Sequence, residues 1–173
     1  MTYRRGCLDV DDALILIVDD KPFNADLFVR VLRRCGYTNE LVRVGDGVEA
    51  LDFLFGREDH ADRDVDVKPR LILLDLNMPR MGGLETLRRL RADERTKLLP
   101  IVMLTATDNS GDKAEAYRLG INGYVDKLSD VPFPEMVKRI ADYWLGLNEP
   151  AQTDRWRTVH PLAPNGTEEA KAT

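Results

Sequence analysis

Cysteine is scarce in this chain. Of 173 residues only Cys7 and Cys35 carry a thiol, and they lie far apart. That excludes a zinc knuckle and a disulfide framework, and it favours a reducing compartment, the cytoplasm. Long hydrophobic runs are missing too. The longest, Ala13 to Val18, is six residues, whereas a membrane helix needs ~20. The basic start, with Arg4 and Arg5, reaches Asp9 before any apolar segment, so no signal peptide is expected. A surplus of positive charge is also absent. Lys and Arg total 25 against 30 Asp and Glu, a net charge of −5, which argues against general nucleic-acid binding. No glycine-rich turn follows the first apolar run, so neither a dinucleotide loop nor a P-loop is present. The two histidines, His60 and His160, fall in a charged stretch and the tail and receive no role. Asn165-Gly166-Thr167 has the form of a glycosylation sequon, a chance match in a chain without a secretion signal.

What remains is ample core material: 43% of residues are hydrophobic and 32% charged. That composition and length suit one globular domain with a tail. Short apolar runs alternate with longer amphipathic stretches five times over. Ala13–Val18 is continuous rather than alternating, as a strand buried on both faces would be. Pro22 opens a helix with Leu27, Phe28, Val31 and Leu32 on one face, and Gly36 stops it. Leu41–Val44 is a weaker edge strand. Asp46 and Glu49 form an N-cap pair before Val48, Leu51, Leu54 and Phe55, and Gly56 ends that helix. Residues 57–70 are mostly charged and predict an exposed loop, longer than usual. Leu71–Leu74 is the most apolar candidate for a central strand. Leu84, Leu87 and Leu90 mark the next helix, with arginines on its outer face. Pro100 introduces the strand Ile101–Leu104. Asp108, Asn109 or Ser110 caps a helix holding Ala114, Tyr117 and Leu119, closed by Gly120. Gly123-Tyr124-Val125 is a short fifth strand. Phe133, Met136, Val137, Ile140, Trp144 and Leu147 share one stripe of the last helix.

Strand–helix units repeated in this way predict an α/β fold, a doubly wound (βα)5 arrangement with a five-stranded parallel sheet and helices on both faces. The division expected is an N-terminal segment 1–11, a domain over 12–147 and a C-terminal extension 148–173. The extension holds Pro150, Pro161 and Pro164 and reads either as a disordered tail or, given Trp156, Val159 and Leu162, as an arm that packs on something.

In such folds sites gather at the carboxyl ends of the strands. Asp19 and Asp20 follow the first strand, Asp75 and then Asn77 the third, Thr105 and Ala106 the fourth, and Lys127 the fifth. Three carboxylates brought together repel unless a cation joins them or their pKa values rise. A hard divalent ion such as Mg²⁺ suits carboxylate and carbonyl oxygens with waters and a phosphate. An Asp carboxylate can itself attack phosphorus and form an aspartyl phosphate, with Lys127 and Thr105 placed to bind the phosphoryl oxygens. The blander alternatives are that Asp19 and Asp20 merely cap the helix at Pro22, that Thr105 is a β-branched strand end and that Tyr124 only packs.

Val18-Asp19-Asp20, Leu74-Asp75-Leu76-Asn77-Met78-Pro79 with Gly83, Leu104-Thr105-Ala106 and Gly123-Tyr124-Val125-Asp126-Lys127 occur in order, each at a strand end. Over roughly residues 12 to 147 the chain resembles a receiver domain of a two-component response regulator, a flavodoxin-like fold. The resemblance implies that Asp75 accepts a phosphoryl group from a histidine kinase. It implies Mg²⁺ on Asp20, Asp75 and the backbone carbonyl of Asn77, with Asp19 holding a metal-bound water. It also implies Thr105 and Lys127 as phosphoryl ligands, and Tyr124 as an aromatic that changes rotamer with Thr105. Within that family the long charged loop, the Asp126-Lys127-Leu128-Ser129 stretch and Tyr143-Trp144-Leu145 most resemble the small regulators paired with bacterial phytochromes. This narrower likeness implies a light-responsive phytochrome kinase as donor. It also implies a homodimer through the fourth helix, fifth strand and fifth helix, to which Trp156–Leu162 could add an arm. The family usually has Pro after the Lys, in a cis bond; here it is Leu128, and a cis bond before a non-proline costs ~3–4 kcal/mol.

The leading expectation is a single-domain response regulator without enzymatic activity beyond Mg²⁺-dependent self-phosphorylation and self-dephosphorylation. With only the short extension after the domain, signal would leave by contact with an unknown downstream protein, with no nucleic acid or membrane involved. A hydrolase passing through an aspartyl phosphate needs a general acid two residues after the nucleophile, where Asn77 stands, and an amide cannot supply that proton. The third class is a phosphorylation-independent interaction module of the same fold, which has no physical need for three close carboxylates.

Overall fold

The computed structural model describes residues 13–107 and 109–151. Cys7, Asp108, Trp156, Val159, His160 and Leu162, and with them the proposed arm, lie outside the described residues.

Five strands form one parallel sheet: β1 (Ile15–Val18), β2 (Leu41–Val44), β3 (Leu71–Asp75), β4 (Ile101–Thr105) and β5 (Gly123–Asp126). Their spatial order is β2-β1-β3-β4-β5. The helices are α1 (Pro22–Arg34), α2 (Gly47–Phe55), α3 (Gly83–Ala92), α4 (Ser110–Arg118) and α5 (Phe133–Ala141). α5 runs on into a π-helical turn, Asp142–Leu147. This is the expected doubly wound arrangement.

β1, β3 and β4 are buried along their whole length, which is why their sequences are continuous apolar runs. Alternate side chains feed two cores. Leu16, Val18, Ile72, Leu74, Ile101 and Met103 face Leu51, Leu54, Leu87, Leu90 and Ala116 of α2, α3 and α4. Ile15, Ile17, Leu71, Leu73, Val102 and Leu104 face Phe28, Leu32, Val137 and Ile140 of α1 and α5. Each fully buried aliphatic side chain contributes ~1.5–3 kcal/mol. Asp46 caps α2 by accepting hydrogen bonds from Val48 N (2.8 Å) and Glu49 N (3.1 Å). The Glu49 carboxylate accepts from Gly45 N rather than from the N–H of the cap residue itself. Gly36, Gly56 and Gly120 end three helices in the left-handed region, as their positions in the sequence predict.

Four details differ from the sequence reading. β1 begins at Ile15, where pairing with Leu41 and Leu71 starts, and not at Ala13. On α4 it is Ala116 that is buried, while Tyr117 is exposed; a nine-residue helix holding Ala114 and Ala116 leaves the phase ambiguous. The stripe on α5 is buried at Met136, Val137 and Ile140, but its last member Leu147 points outward and Leu145 is buried instead. The loop over 57–70 is not simply exposed. A short 3-10 turn spans Glu58–His60, Arg63 lies 4.0 Å over the Phe53 ring, and Arg70 is buried. Arg70 donates to the backbone oxygens of Trp144, Leu145 and Asn148. No helix among the described residues is long and apolar enough to cross a membrane.

Candidate functional site

Parallel pairing sets the site. Val18 lies beside Leu74 and Asp75 beside Leu104, so Asp19 and Asp75 leave neighbouring strands at the same rim. Thr105 lies beside Asp126, and Lys127 N donates to Thr105 O at 2.7 Å. That bond aims the Lys127 side chain back over the centre of the sheet. Its Nζ donates to Asp75 Oδ1 at 2.8 Å and to Asp19 Oδ2 at 3.1 Å. Asp19, Asp75 and Thr105 are all buried.

Asp19 is held further by Lys21 N (2.8 Å) and by the Asn24 amide on both of its oxygens. Asp20 Oδ1 is buried with no hydrogen-bond partner among the described residues. Two carboxylates, Asp19 and Asp75, thus share one ammonium, and Asp20, on the loop just after β1, takes no part in that pairing. A buried, unpartnered carboxylate oxygen is costly in water's absence, and a divalent cation would satisfy both the oxygen and the charge. Asp20 and Asp75 together with a backbone carbonyl from the 76–78 loop therefore fit a hard metal ion. No three His, Cys, Asp or Glu side chains among the described residues converge on one point, so the fit rests on two carboxylates and a carbonyl, with Asp19 tied to Lys127.

The electrostatics follow from burial and pairing. Burial pushes the Asp75 carboxyl above its ordinary range. The Lys127 hydrogen bond and charge oppose that, the Asp19 charge adds to it, and a backbone hydrogen bond from Asn77 opposes it again. For Lys127, burial pulls the ammonium down, yet the hydrogen bond and charge of Asp75, with those of Asp19, together hold it above its ordinary range. Lys127 is therefore a firmly charged cation wedged between two carboxylates.

The loops supply the remaining groups. Asn77 Nδ2 donates to Thr107 Oγ1 at 2.8 Å, and Thr107 N donates to Thr105 Oγ1 at 3.1 Å. Gly83 N donates to Leu76 O, and a Cβ at position 83 would lie 2.4 Å from the Asp75 backbone oxygen. Only glycine lets α3 start that close to the strand end. Tyr124 sits on β5 beside Met103, its ring partly buried against the core and 5.6 Å from Lys113 Nζ. Every peptide bond among the described residues is trans, that before Leu128 included.

The chemistry of this rim is one carboxylate at a central strand end, an ammonium on it, a hydroxyl on the next strand and acidic oxygens free for a cation. A scan against family models matches the response regulator receiver domain over residues 15–141. The chain belongs to that family. Among curated relatives, FilR2 of Methanothrix harundinacea, a probable methanogenesis regulatory protein, is 36% identical over 139 residues, 80% of this chain and 87% of that one. The response regulator Rcp1 of Synechocystis is 32% identical over 133 residues, 76% of this chain and 88% of its own. The solved Mn²⁺-bound form of Rcp1 superposes with a TM-score of 0.73 at 31% identity, over 81% of this chain and 99% of that one. The phosphorylated cyanobacterial phytochrome response regulator RcpA gives a TM-score of 0.74 at 30% identity, over 82% and 99%. The fold of this receiver domain is thus shared with phytochrome-associated response regulators.

Of the residues singled out in the sequence, the structure gathers Asp19, Asp75 and Lys127 into one hydrogen-bonded cluster, with Thr105 tied to Lys127 through the backbone. Asp20 stands apart from those hydrogen bonds. The sequence reading missed Asn24, whose place in the first turn of α1 was a usable signal, and Thr107, two residues past a marked strand end. It also missed Arg80, which no local pattern flags.

Proposed function

We propose that the protein is a single-domain response regulator that accepts a phosphoryl group on Asp75 from a histidine kinase of the phytochrome class. The observation that carries this reading is the Asp75 carboxylate at the end of central β3, joined to Lys127 Nζ at 2.8 Å, with the unpartnered Asp20 oxygen on the loop after the neighbouring strand β1. An Asp75 oxygen attacks phosphorus as the phosphorus–nitrogen bond of the donor's phosphohistidine breaks, and the imidazole leaves with the bonding pair. Lys127 exchanges its contact with Asp75 for one phosphoryl oxygen, and the Thr105 hydroxyl donates to another. Asp20, Asp75 and the carbonyl of Asn77, with Asp19 helping through a water, would hold a Mg²⁺ ion, which would supply positive charge to offset the phosphoryl oxygens. Beyond this self-phosphorylation and slow self-hydrolysis no enzymatic activity is assigned.

The modification adds about −1.5 to −2 charges at pH 7. Drawing Thr105 inward frees room beside Tyr124, which changes rotamer and biases the surface of α4, β5 and α5. That surface supports a homodimer. A shallow groove lined by Tyr124, Val125, Val131, Met136 and Ile140 opens between β5 and α5, and Tyr117 is exposed on α4. In this reading residues 12–147 are the receiver unit, residues 148–173 extend the dimer as an arm, and the protein works in the cytoplasm on a downstream protein. The phytochrome pairing draws on the likeness to RcpA and Rcp1.

Intact mass after incubation with Mg²⁺ and acetyl phosphate tests the chemistry. One phosphoryl group gained by the wild type and none by Asp75→Asn supports it; no gain with any donor leaves an interaction module. Red-light-dependent phosphotransfer from the matching photoreceptor tests the donor. Sedimentation of a chain cut after Asn148 tests the arm, which an unchanged dimer removes.

A further inference from the structure

Arg80 has a positive φ of 56°, and apart from glycines only Glu58 shares that sign among the described residues. Met81 N donates to Pro79 O at 2.6 Å, so Arg80 is the centre of a three-residue turn of the rare, strained hand. A side chain there is disfavoured, and glycine would be the ordinary choice. The strain has a holder. Arg80 Nε and one terminal nitrogen both lie 2.5 Å from Asp46 Oδ2, and the Asp46 side chain is 5% exposed. The other Asp46 oxygen caps α2. Beside this pair Gly47 N donates to Met81 O at 3.1 Å. A Cβ on Gly47 would meet Thr86 Oγ1 at 1.9 Å and Met81 Cγ at 2.8 Å. The start of α2 and the loop after Asp75 are thus pressed together at two consecutive residues on each side.

We propose that Arg80 is a positioning residue: its ion pair with Asp46 latches the 76–82 loop onto α2 and so fixes where the Asn77 backbone stands relative to Asp75. The loop has few other anchors. Asn77 reaches Thr107, Gly83 N reaches Leu76 O, and Gly47 N holds Met81 O; between Asn77 and Met81 the turn at Arg80 sets the path. Strained backbone at a functional site persists only where the surroundings over-determine it, and here one buried carboxylate serves both the helix cap and the latch. The inference rests on the metal and phosphoacceptor reading proposed above.

The test uses the full chain as wild type, Arg80→Lys, Arg80→Ala and Arg80→Gly, with Asp46→Asn as an independent variant that keeps an α2 cap, since Asn caps as well as Asp. Mn²⁺ binding is read by electron paramagnetic resonance, and phosphoryl gain from acetyl phosphate by intact mass across Mg²⁺ concentrations. Arg80→Ala and Asp46→Asn should weaken Mn²⁺ roughly tenfold, the low end for groups that orient metal ligands. They should slow phosphorylation at low Mg²⁺ and recover at saturating Mg²⁺. Arg80→Lys should keep most of the affinity, and Arg80→Gly should fall between, because it loses the pair but accepts the turn. Wild-type Mn²⁺ affinity in both Arg80→Ala and Asp46→Asn, or a loss of rate equal at every Mg²⁺ concentration, overturns the proposal while leaving the phosphoacceptor reading intact. A wild-type chain that takes up neither Mn²⁺ nor a phosphoryl group overturns the reading beneath it.

Discussion

The two ends of the sheet treat buried charge in opposite ways. At the carboxyl end, charge meets charge: Asp19 and Asp75 share Lys127, and Asp20 keeps an oxygen without a partner. At the amino end, the guanidinium groups of Arg70 and Arg91 meet neutral oxygens. Arg70 donates to the carbonyls of Trp144, Leu145 and Asn148, capping the π-helical turn. Arg91 donates to the carbonyls of Gly120 and Leu99 and to Asn122 Oδ1. Arg70 and Arg91 at the amino end are therefore satisfied by neighbouring described residues, whereas the carboxyl end carries surplus negative charge that an added cation would offset.

Four substitutions probe that contrast. Asp75→Asn has the largest effect: phosphoryl gain vanishes in the intact-mass experiment, while the fold, read by circular dichroism, is kept. Lys127→Met removes the cation common to two buried carboxylates and should cost about 3 kcal/mol in urea unfolding without metal. Mg²⁺ should then raise its Tm more than that of the wild type, and equal shifts would refute the charge surplus at this rim. Arg70→Met strips three carbonyls of their donor and should cost about 2 kcal/mol, with the phosphorylation rate unchanged; a slowed rate would mean the two ends are coupled.

The smallest effect belongs to Tyr37, at the amino end, whose hydroxyl donates to Asp142 Oδ1 at 2.8 Å. Burial, then that hydrogen bond and the Asp142 charge, holds the phenol well above its ordinary pKa. Because the folded value is the higher one, the contribution is complete below the unfolded pKa near ~10 and fades as pH rises through the folded value. Tyr37→Phe should cost ~0.5–1 kcal/mol at neutral pH, and urea titrations should show that difference flat to pH ~10 and shrinking above it.

The sequence displayed the carboxyl end far better than the amino end. Asp19, Asp75, Thr105 and Lys127 each follow an apolar run, and a parallel sheet aligns such positions by itself, so local patterns suffice. Arg70 closes a charged stretch and looks solvated; its role depends on carbonyls more than 70 residues away and leaves no local trace. The Arg80–Asp46 pair is hidden for the same reason, since it joins two loops through side chains that each have an ordinary local explanation. The π-helical turn was equally silent, because the apolar stripe of α5 reads the same whether the helix keeps or loosens its pitch near Trp144.

The strand order has a consequence for how the protein is made. β1 is interior and pairs with β2 and β3, so its second edge stays open until residues beyond Arg70 leave the ribosome, seconds later at roughly 5–20 residues per second. Lys127 closes the last strand, on the far side of β4. Until residue 127 emerges the nascent acidic rim exists without its ammonium, and of the site's residues Lys127 arrives last, with α5 still to follow.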